Sequence, residues 1–449
     1  MKVGFILPGD GVSGGIYVVY RHAHYLSSRG HDVSIIFSAT ASPKIESVRD
    51  YPLPVLLLEE AVQAETTYDA VVATWWETYY DMFRIDAKRY LYFCQSDERR
   101  FYPSSQIDEI LFAERTYIDR TVGVITMARW LVEWLSREFG ICAEYAPNGI
   151  DTGLFNPHVK PLVPRGEKIR VLIEGPGGVH FKRIDLAFRT AARVPGIEIW
   201  YVSGDGVVEP HWKYDRVFRK LRLDEMPPVY ASCDILLKLS AVESFSYPPL
   251  EMMACGGTAV ASRFTGHEEY LRDGENALLV GIDDEEGAYL ALKRLVEDSA
   301  LRGSLSEAGQ KTAADMEWKM RAPLFEKALE TLTGRMRPVS RARRNMHMLF
   351  GHLRRERNRL SVSQSQIQLT QAQLQSTQAQ LQSTQTQLQS TQTLLEETQD
   401  RLRNTQETLE VLLRSETFLI GKAIVYVPRQ ILMLVRNFHK RMRKRGDAS

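Results

Sequence analysis

The chain has few cysteines and almost no net charge, and each shortage excludes a class of protein. Its 449 residues include four cysteines, Cys94, Cys142, Cys233 and Cys255, and no two of them form a C-x-x-C pair. This spacing excludes the common zinc motifs and a disulfide framework, so a reducing cytoplasm is the expected location. The formal net charge is +1, and the overall charge therefore predicts no binding to nucleic acid.

Signals for export and for metal binding are also missing. The apolar run that starts at Met1 breaks at Pro8 and Gly9, which is too early for the core of a secretory signal. No Asp-x-Asp motif occurs. His22 and His24 are two positions apart on a predicted helix and face different directions. We therefore expect no metal site and no cofactor.

What is present is an alternation of short apolar runs with helical periods over residues 1–332. The predicted strands are residues 3–7, 32–37, 68–73, 89–93, 122–126, 170–174, 197–202, 234–239, 258–261 and 277–280. Strands that alternate with helices favour parallel sheets, which bind ligands at the carboxyl ends of their strands. Prolines and glycines interrupt any regular element over 148–163. The sequence thus predicts an α/β protein with two Rossmann-like doubly wound domains, 1–150 and 151–332, facing a cleft.

Two acids bracket the most informative segment. Glu243 and Glu251 lie eight residues apart, between a predicted strand and a helix whose first turn suits Pro248 and Pro249. Carboxylates accept hydrogen bonds from sugar hydroxyls, and free backbone N–H groups at a helix start attract phosphate. A nucleoside diphosphate sugar would bind both kinds of group, with its hydroxyls on the carboxylates and its phosphates on the N–H groups. The alternative interpretation is one surface acid and one helix-capping acid.

The order of motifs along the chain resembles that of retaining GT-B glycosyltransferases of family four. The resemblance covers residues 1–332 and rests on the acidic segment and on three further motifs. These are the strand, Gly14-Gly15 turn and helix at the N-terminus, the hinge-like segment 146–151, and the late signature 273–280. The resemblance implies retaining transfer of a sugar from a nucleotide donor, with no metal required.

The same resemblance assigns residues to the donor site. It implies a catalytic set of Glu243, Lys182 and Arg183. The implied donor-binding residues are Gly14, Gly15, Gly204, Asp205, Phe245, Ser246 and Glu251. The sequence departs from the family at two positions: Pro176 occupies the place of an arginine, for which Arg183 is a substitute, and Ser246 stands where glycine is usual. For Lys182 the alternative is a solvated residue in the first turn of a helix.

A narrower resemblance concerns the acceptor side. The stretch 92–98 is similar to that of a bacterial branch that builds rhamnose-containing surface glycans, but Gln95 and Asp97 replace the usual histidine region. No general base is assigned, since the leaving phosphate can take the acceptor proton. Trp75 is a candidate to stack an acceptor sugar, although such aromatic residues also serve as core.

After residue 332 the composition changes abruptly. Residues 333–359 form a basic amphipathic linker, which suits either solvent or an anionic membrane surface. Over 360–415 leucine or isoleucine recurs at every seventh position, with threonine three residues later in most heptads. This pattern predicts an oligomerising coiled coil of roughly 75 Å, with Gln-rich low complexity as the alternative. Residues 416–449 predict an interfacial helix with a basic end, on the inner face of the cell membrane.

These features favour a retaining glycosyltransferase of bacterial surface-polysaccharide (O-antigen type) biosynthesis. Its expected partners are a nucleotide sugar, a glycan or lipid-linked acceptor, and further copies or partner transferases bound through the coil. Two alternatives stay open. Pro176 and the missing histidine motivate a catalytically weak scaffold that recruits transferases, and the fold also suits a sugar-nucleotide epimerase.

Overall fold

The first sheet has seven parallel strands. The structure is a computed structural model that describes residues 1–9, 14–38 and 52–446. The strand order is β3-β2-β1-β4-β5-β6-β7. Its strands are β1 (Lys2–Leu7), β2 (Asp32–Phe37), β3 (Val55–Leu57), β4 (Ala70–Ala73), β5 (Tyr90–Cys94), β6 (Gly123–Thr126) and β7 (Glu144–Tyr145). The helices between them are α1 (Gly14–Ser28), α2 (Leu58–Gln63), α3 (Trp76–Met82), α4 (Ile107–Arg115) and α5 (Arg129–Trp134).

The second sheet has six parallel strands in the order β10-β9-β8-β11-β12-β13. Its strands are β8 (Arg170–Glu174), β9 (Glu198–Ser203), β10 (Arg216–Arg219), β11 (Ile235–Lys238), β12 (Thr258–Ser262) and β13 (Leu278–Val280). The helices of this half are α6 (Ile184–Ala192), α7 (Met226–Ser232), α8 (Tyr247–Ala254), α9 (Glu285–Glu297) and α10 (Ser299–Asp315). Helices flank a parallel sheet because its strands are apolar on both faces.

This architecture confirms the predicted fold class. All ten predicted strands form, with ends that differ from the prediction by two residues at most. Three strands were not predicted: β3, β7 and β10. All three lie at an edge of a sheet and are only partly buried. Residues 10–13 of the glycine-rich loop lie outside the described residues.

The chain crosses between the two sheets twice, and the two crossings pair with each other. The Ile150 N–H donates to the Met316 carbonyl at 2.8 Å, and the Trp318 N–H donates to the Ile150 carbonyl at 3.0 Å. A Cβ atom on Gly149 would lie 2.8 Å from the Trp318 Cα, so only glycine allows this approach. Helix α11 (Trp318–Arg335) then returns to the first sheet, where Phe325 packs 5.2 Å from the Phe93 ring.

The start of the next helix, α12 (Arg341–Arg414), packs on the first domain. His347 is 2% exposed, stacks on Phe83 at 4.1 Å and bonds to Asp119 at 2.5 Å. The buried Arg354 pairs with Glu77. Residues 341–354 of the predicted basic linker 333–359 therefore pack on the first domain, whose carboxylates bind Arg343, Arg344, His347 and Arg354.

The chain divides into two units, residues 1–354 and the residues from 355 onward. The second unit consists of the rest of α12 and of α13 (Glu416–Gly446). The predicted long C-terminal helix is thus present. Within the described residues, no helix combines the length and apolar character that are needed to cross a membrane.

Candidate functional site

The acidic segment joins the carboxyl end of β11 to α8, at the edge where parallel sheets bind ligands. Pro248 and Pro249 occupy the first turn of α8, where a missing N–H is harmless and the fixed φ is already helical. Glu243 lies in the loop and Glu251 lies inside the helix, as the sequence predicted.

Glu243 is held between two lysines. Its side chain is 11% exposed, and its Oε1 atom accepts a 2.8 Å hydrogen bond from Lys182 Nζ. Lys238 Nζ lies 3.8 Å from the same oxygen. Burial alone would raise the pKa of Glu243, but the two ammonium groups outweigh it and lower this pKa below its ordinary value. Glu243 is therefore a carboxylate at neutral pH.

Lys238 is a site residue that sequence reasoning missed. It is the last residue of β11, is 3% exposed, and donates to the Glu174 carbonyl at 2.9 Å and to its carboxylate at 3.0 Å. Burial opposes its charge, but Glu174 and Glu243 outweigh burial and raise the pKa of Lys238. The available signal was a lysine inside the apolar run I-L-L-K-L. A charge in a buried strand requires a partner.

Glu251 has the opposite electrostatic environment. It is 7% exposed, and its Oε2 atom accepts a 2.9 Å hydrogen bond from the Tyr230 hydroxyl. Burial raises the pKa of Glu251 to about 8, while the Tyr230 hydrogen bond and Lys238 lower it only in part. The two acids of the motif thus differ in electrostatic environment: the pKa of Glu243 is lowered and that of Glu251 is raised.

Ser246 has the backbone conformation of a glycine. Its φ is 64° and its ψ is 104°, a region that side chains with a Cβ atom rarely adopt. Its buried hydroxyl has no hydrogen-bond partner, whereas its carbonyl accepts a bond from the Tyr270 hydroxyl. The neighbouring Phe245 is buried against the Tyr270 ring at 5.1 Å. The loop therefore keeps the shape expected of the glycine that usually stands here, at the expense of local strain.

The Gly14-Gly15 turn of the first domain faces this segment. A Cβ atom on Gly14 would lie 3.5 Å from the Tyr247 ring, and one on Gly15 would lie 3.2 Å from Gln95 Oε1. Across the same gap, the Ser244 hydroxyl donates to Ser96 Oγ at 2.8 Å. The structure thus brings the predicted glycine turn and the acidic segment to one cleft.

Asp205 holds a second glycine loop in place. Its carboxylate accepts bonds from the N–H groups of Gly177 at 3.0 Å and Gly178 at 2.8 Å. Burial opposes ionisation, but these backbone donors outweigh it and lower the pKa of Asp205. Gly204 precedes Asp205 and lies close to Pro176: a Cβ atom added to Gly204 would be 4.0 Å from the Pro176 nitrogen. In this structure Asp205 shapes the loop that contains Pro176.

Arg183 does not join Glu243. Its guanidinium group makes a two-pronged contact with Asp283, at 2.6 and 2.9 Å. Arg183 has a φ of 52° as the residue before α6, so its side chain leaves the backbone in another direction from that of Lys182. Its catalytic role stays a prediction that this geometry does not support, and the second cation next to Glu243 is Lys238.

The predicted acceptor-side residues lie just after the carboxyl ends of β4 and β5 in the first domain. Gln95 donates to the Thr74 carbonyl at 3.3 Å, and Trp75 stacks on Phe101 at 5.7 Å. Asp97 is 7% exposed and forms a two-pronged pair with Arg99, at 2.8 and 3.0 Å. Gln95 and Trp75 are half-buried.

Glu98 is a second residue that the sequence did not reveal. It is fully buried behind the acceptor-side edge and accepts from the Tyr92 hydroxyl at 2.6 Å and from the Trp76 N–H at 2.8 Å. Burial raises the pKa of Glu98 to about 8, against the lowering effect of these bonds. A protonated Glu98 fixes the start of α3, and therefore the position of Trp75.

One group of side chains among the described residues has the spacing for a metal ion: His31, Glu326 and Glu330. It lies after α1 and on α11, outside the acidic segment. Glu326 is already used by Tyr25 at 3.2 Å and by Arg29 at 3.4 Å. The group therefore resembles a surface hydrogen-bond network more than a metal centre.

Comparison with known proteins agrees with this geometry. Residues 214–312, which contain both acids of the motif, match the family Glycosyl transferases group 1. The chain is 31% identical over 144 residues to the lipopolysaccharide core biosynthesis glycosyltransferase LpsE of Rhizobium meliloti, covering 30% of the chain and 42% of LpsE. It is 25% identical over 343 residues to the O-antigen biosynthesis protein RfbC of Myxococcus xanthus, covering 71% of the chain and 26% of RfbC. The chain thus spans less than half of either relative.

Solved structures share the fold at low identity. The crystal structure of Anabaena HepE in complex with UDP-glucose superposes with a TM-score of 0.62 at 17% identity, over 74% of this chain and all of HepE. Residues 214–312 are thus similar to group 1 glycosyltransferases, and the structural match shows that the chain shares the two-sheet GT-B fold of HepE.

Proposed function

We propose that the chain is a retaining glycosyltransferase that transfers a sugar from a nucleotide donor to a glycan or lipid-linked acceptor of a cell-surface polysaccharide. The observation that carries this proposal is the buried pairing of Lys182 and Lys238 with Glu243 in a cleft between two doubly wound domains. Together with Glu174, which pairs with Lys238, these groups make two cations and two carboxylates, so the cluster is charge-balanced without ligand. A diphosphate that enters it competes with Glu243 for Lys182.

The roles follow from where charge develops. When the nucleoside diphosphate leaves the anomeric carbon, negative charge grows on its phosphate, so a cation placed there stabilises the transition state more than the ground state. Lys182 is the cation that can turn to the phosphate, because its side chain is 20% exposed. The Gly14 and Gly15 amides and those of Phe245 and Ser246 supply further donors.

Lys238 completes this assignment. When Lys182 turns to the phosphate, Glu243 loses its closest partner, and Lys238 at 3.8 Å keeps Glu243 ionised to contact the donor sugar. Glu251 binds the ribose hydroxyls. The leaving phosphate oxygen takes the acceptor proton on the same face, so the anomeric configuration is retained without a protein base.

The acceptor binds along the edge formed by Gln95, Asp97 and Trp75. Trp75 lies on Phe101, which itself packs 5.4 Å from Phe181 of the second domain. An acceptor that stacks on this aromatic row would touch both domains. Helix α13 places exposed apolar residues such as Ile431 and Phe438 near the cations Arg436 and Lys440, which suits an anionic membrane surface where lipid-linked acceptors reside.

The experiment is a donor screen with the purified full chain. UDP-glucose is tested first, followed by other UDP-, GDP-, ADP- and dTDP-linked sugars including rhamnose donors, with binding measured by calorimetry and nucleotide release by a coupled assay. Lys182→Gln and Glu243→Gln are the site variants, and Arg193→Gln on the exposed surface is the matched control.

Turnover that needs an acceptor and is lost in both site variants supports the proposal. Binding without turnover on any glycan acceptor would favour a scaffold that no longer catalyses. The scaffold hypothesis rests on Pro176 in place of a cation and on the missing histidine. Against it, the ammonium group of Lys238 lies 3.4 Å from where a Gly175 Cβ would be, so a buried cation stands beside this loop. Interconversion of the donor sugar without an acceptor would favour an epimerase.

A further inference from the structure

Helix α12 carries an unpartnered apolar row over eight successive heptads. The row consists of Leu360, Ile367, Leu374, Leu381, Leu388, Leu395, Leu402 and Leu409. Every member is between 53% and 65% exposed. An exposed row of this length is unusual on a helix that works alone, because such helices are polar all round.

The positions three residues after the row complete a seam. Six of them are threonine: Thr370, Thr377, Thr384, Thr391, Thr398 and Thr405. Each threonine hydroxyl donates to the carbonyl four residues earlier in its own helix, at 2.7–2.9 Å. The hydroxyls therefore have partners before any association, and burying them against another helix leaves no unsatisfied donor. A Leu/Thr seam can be buried despite its polar half.

We propose that α12 self-associates, with parallel copies of this chain joined in register along the Leu/Thr seam. The positions that flank the seam identify the partner. Thirteen flanking positions between 364 and 406 come four residues after a row member or one before the next one. The nine from 364 to 392 are all glutamine, and the other four are Leu394, Gln399, Arg401 and Gln406. Flanking charges are what a coiled coil uses to repel its own copy or to select a different chain. Over 364–392 no flanking charge repels a second copy or selects another partner.

The heptad spacing requires supercoiling with a partner. A straight α-helix drifts by about 20° per heptad relative to a seven-residue repeat, so the row winds around an isolated helix. Left-handed supercoiling about a second copy keeps all eight row residues in contact. Leucine at the first seam position (a) with a β-branched residue three positions later (d) also favours more than two strands over two.

The C-terminal heptads fix the register. The repeats between 374 and 391 are nearly identical, so sliding one copy by seven residues leaves their contacts unchanged. Leu409 and Leu412 form the one complete heptad of the row with leucine at both seam positions. In-register parallel pairing stacks this heptad on itself, whereas a slipped or antiparallel pairing places it against threonine or against the start of the row.

The first test is the mass of the full chain in solution. Light scattering after size exclusion should give at least twice the mass of one chain. Leu381→Lys with Leu395→Lys should reduce it to one chain, because two cations then lie in the seam. Thr386→Lys with Thr393→Lys adds the same charge to the opposite face and should leave the mass unchanged. A single-chain mass for the unsubstituted protein, or equal effects of both double variants, overturns self-association.

The second test addresses orientation and register. In a Cys142→Ser background, Thr405→Cys should form an interchain disulfide under mild oxidation, since parallel in-register copies bring the two positions together. Glu407→Cys, on the outer face, should not. Crosslinking of Glu407→Cys to the same extent, or none with Thr405→Cys in a protein that is oligomeric by mass, overturns the parallel register. Because these readouts need no substrate, they are independent of the proposed glycosyl transfer.

Discussion

The Glu251→Gln variant should gain stability relative to the unsubstituted chain as the pH rises from 5 to 8. The pKa of Glu251 is raised by burial from 4.5 to about 8. Between these values the folded chain holds a proton that the unfolded chain has released, so Glu251 lowers the free energy of unfolding as pH rises. At about 1.36 kcal/mol per pH unit, the loss between pH 5 and pH 8 is about 4 kcal/mol.

Glutamine does not titrate, and its amide oxygen can still accept the Tyr230 hydrogen bond, so Glu251→Gln removes this loss. The assay is urea unfolding of both proteins at pH 5 and pH 8. Glu243→Gln is the matched control, because the pKa of Glu243 is lowered. The Glu243 carboxylate contributes stability above its ordinary pKa and loses it as pH falls through the lowered value. This variant should therefore be less stable than the parent at pH 8. An effect of Glu251→Gln that does not change with pH, or the same sign for both variants, would refute the electrostatic assignment.

Three further outcomes are expected. Lys238→Met should destabilise the protein by about 3–5 kcal/mol in urea unfolding, since it leaves the Glu174 carboxylate buried without its cation; addition of Glu174→Gln should recover part of that loss, and no recovery would contradict the pairing. Ser246→Gly should raise the free energy of unfolding by about 1–2 kcal/mol, because it relieves a φ of 64° and removes an unpartnered hydroxyl; a destabilised variant would show that the strain is absent. Arg183→Ala should lower stability by less than about 1 kcal/mol and leave turnover within threefold, because Arg183 pairs with the exposed Asp283; a hundredfold loss of turnover would restore its catalytic assignment.

The central strands of both sheets could be predicted because a strand that is buried on both faces needs a continuous apolar run. Of the four edge strands, the apolar β13 was predicted and the other three were not. β7 consists of Glu144 and Tyr145 alone, and β10 contains arginine at both ends. An edge strand has one neighbour and one open side, so its pairing depends on the strand already in place more than on its own composition.

The sequence pointed to part of the candidate site, but it did not show which of two neighbouring cations contacts Glu243. The two acids drew attention by their spacing, and the family resemblance implied the glycine turn and Lys182; in the structure Lys182 pairs with Glu243 and Gly14 lies beside Tyr247 of the acidic segment. Arg183 and Lys182 are adjacent in sequence, yet they contact carboxylates in different parts of the domain. The left-handed backbone of Arg183, with a φ of 52°, directs its side chain away from that of Lys182. Sequence adjacency therefore could not decide which cation reaches Glu243.

The buried charges were hardest to foresee. Lys238 interrupts an apolar strand, which signals a buried partner without naming it. Glu98 follows Asp97 in a polar stretch and looks like a surface acid, but Tyr92 and Trp76 bind it in the interior. Long-range packing alone determines which of two neighbouring acids is buried.

The central claim is retaining sugar transfer, and its most direct test is the anomeric configuration of the product. NMR determines this configuration in a reaction with the nucleotide sugar and acceptor that the donor screen identifies. The account predicts retention of configuration, and loss of at least a hundredfold in rate in Glu243→Gln with donor binding kept, while Glu251→Ala chiefly weakens nucleotide binding. Inversion of configuration, or a Glu243→Gln variant that turns over at the parent rate, would contradict it.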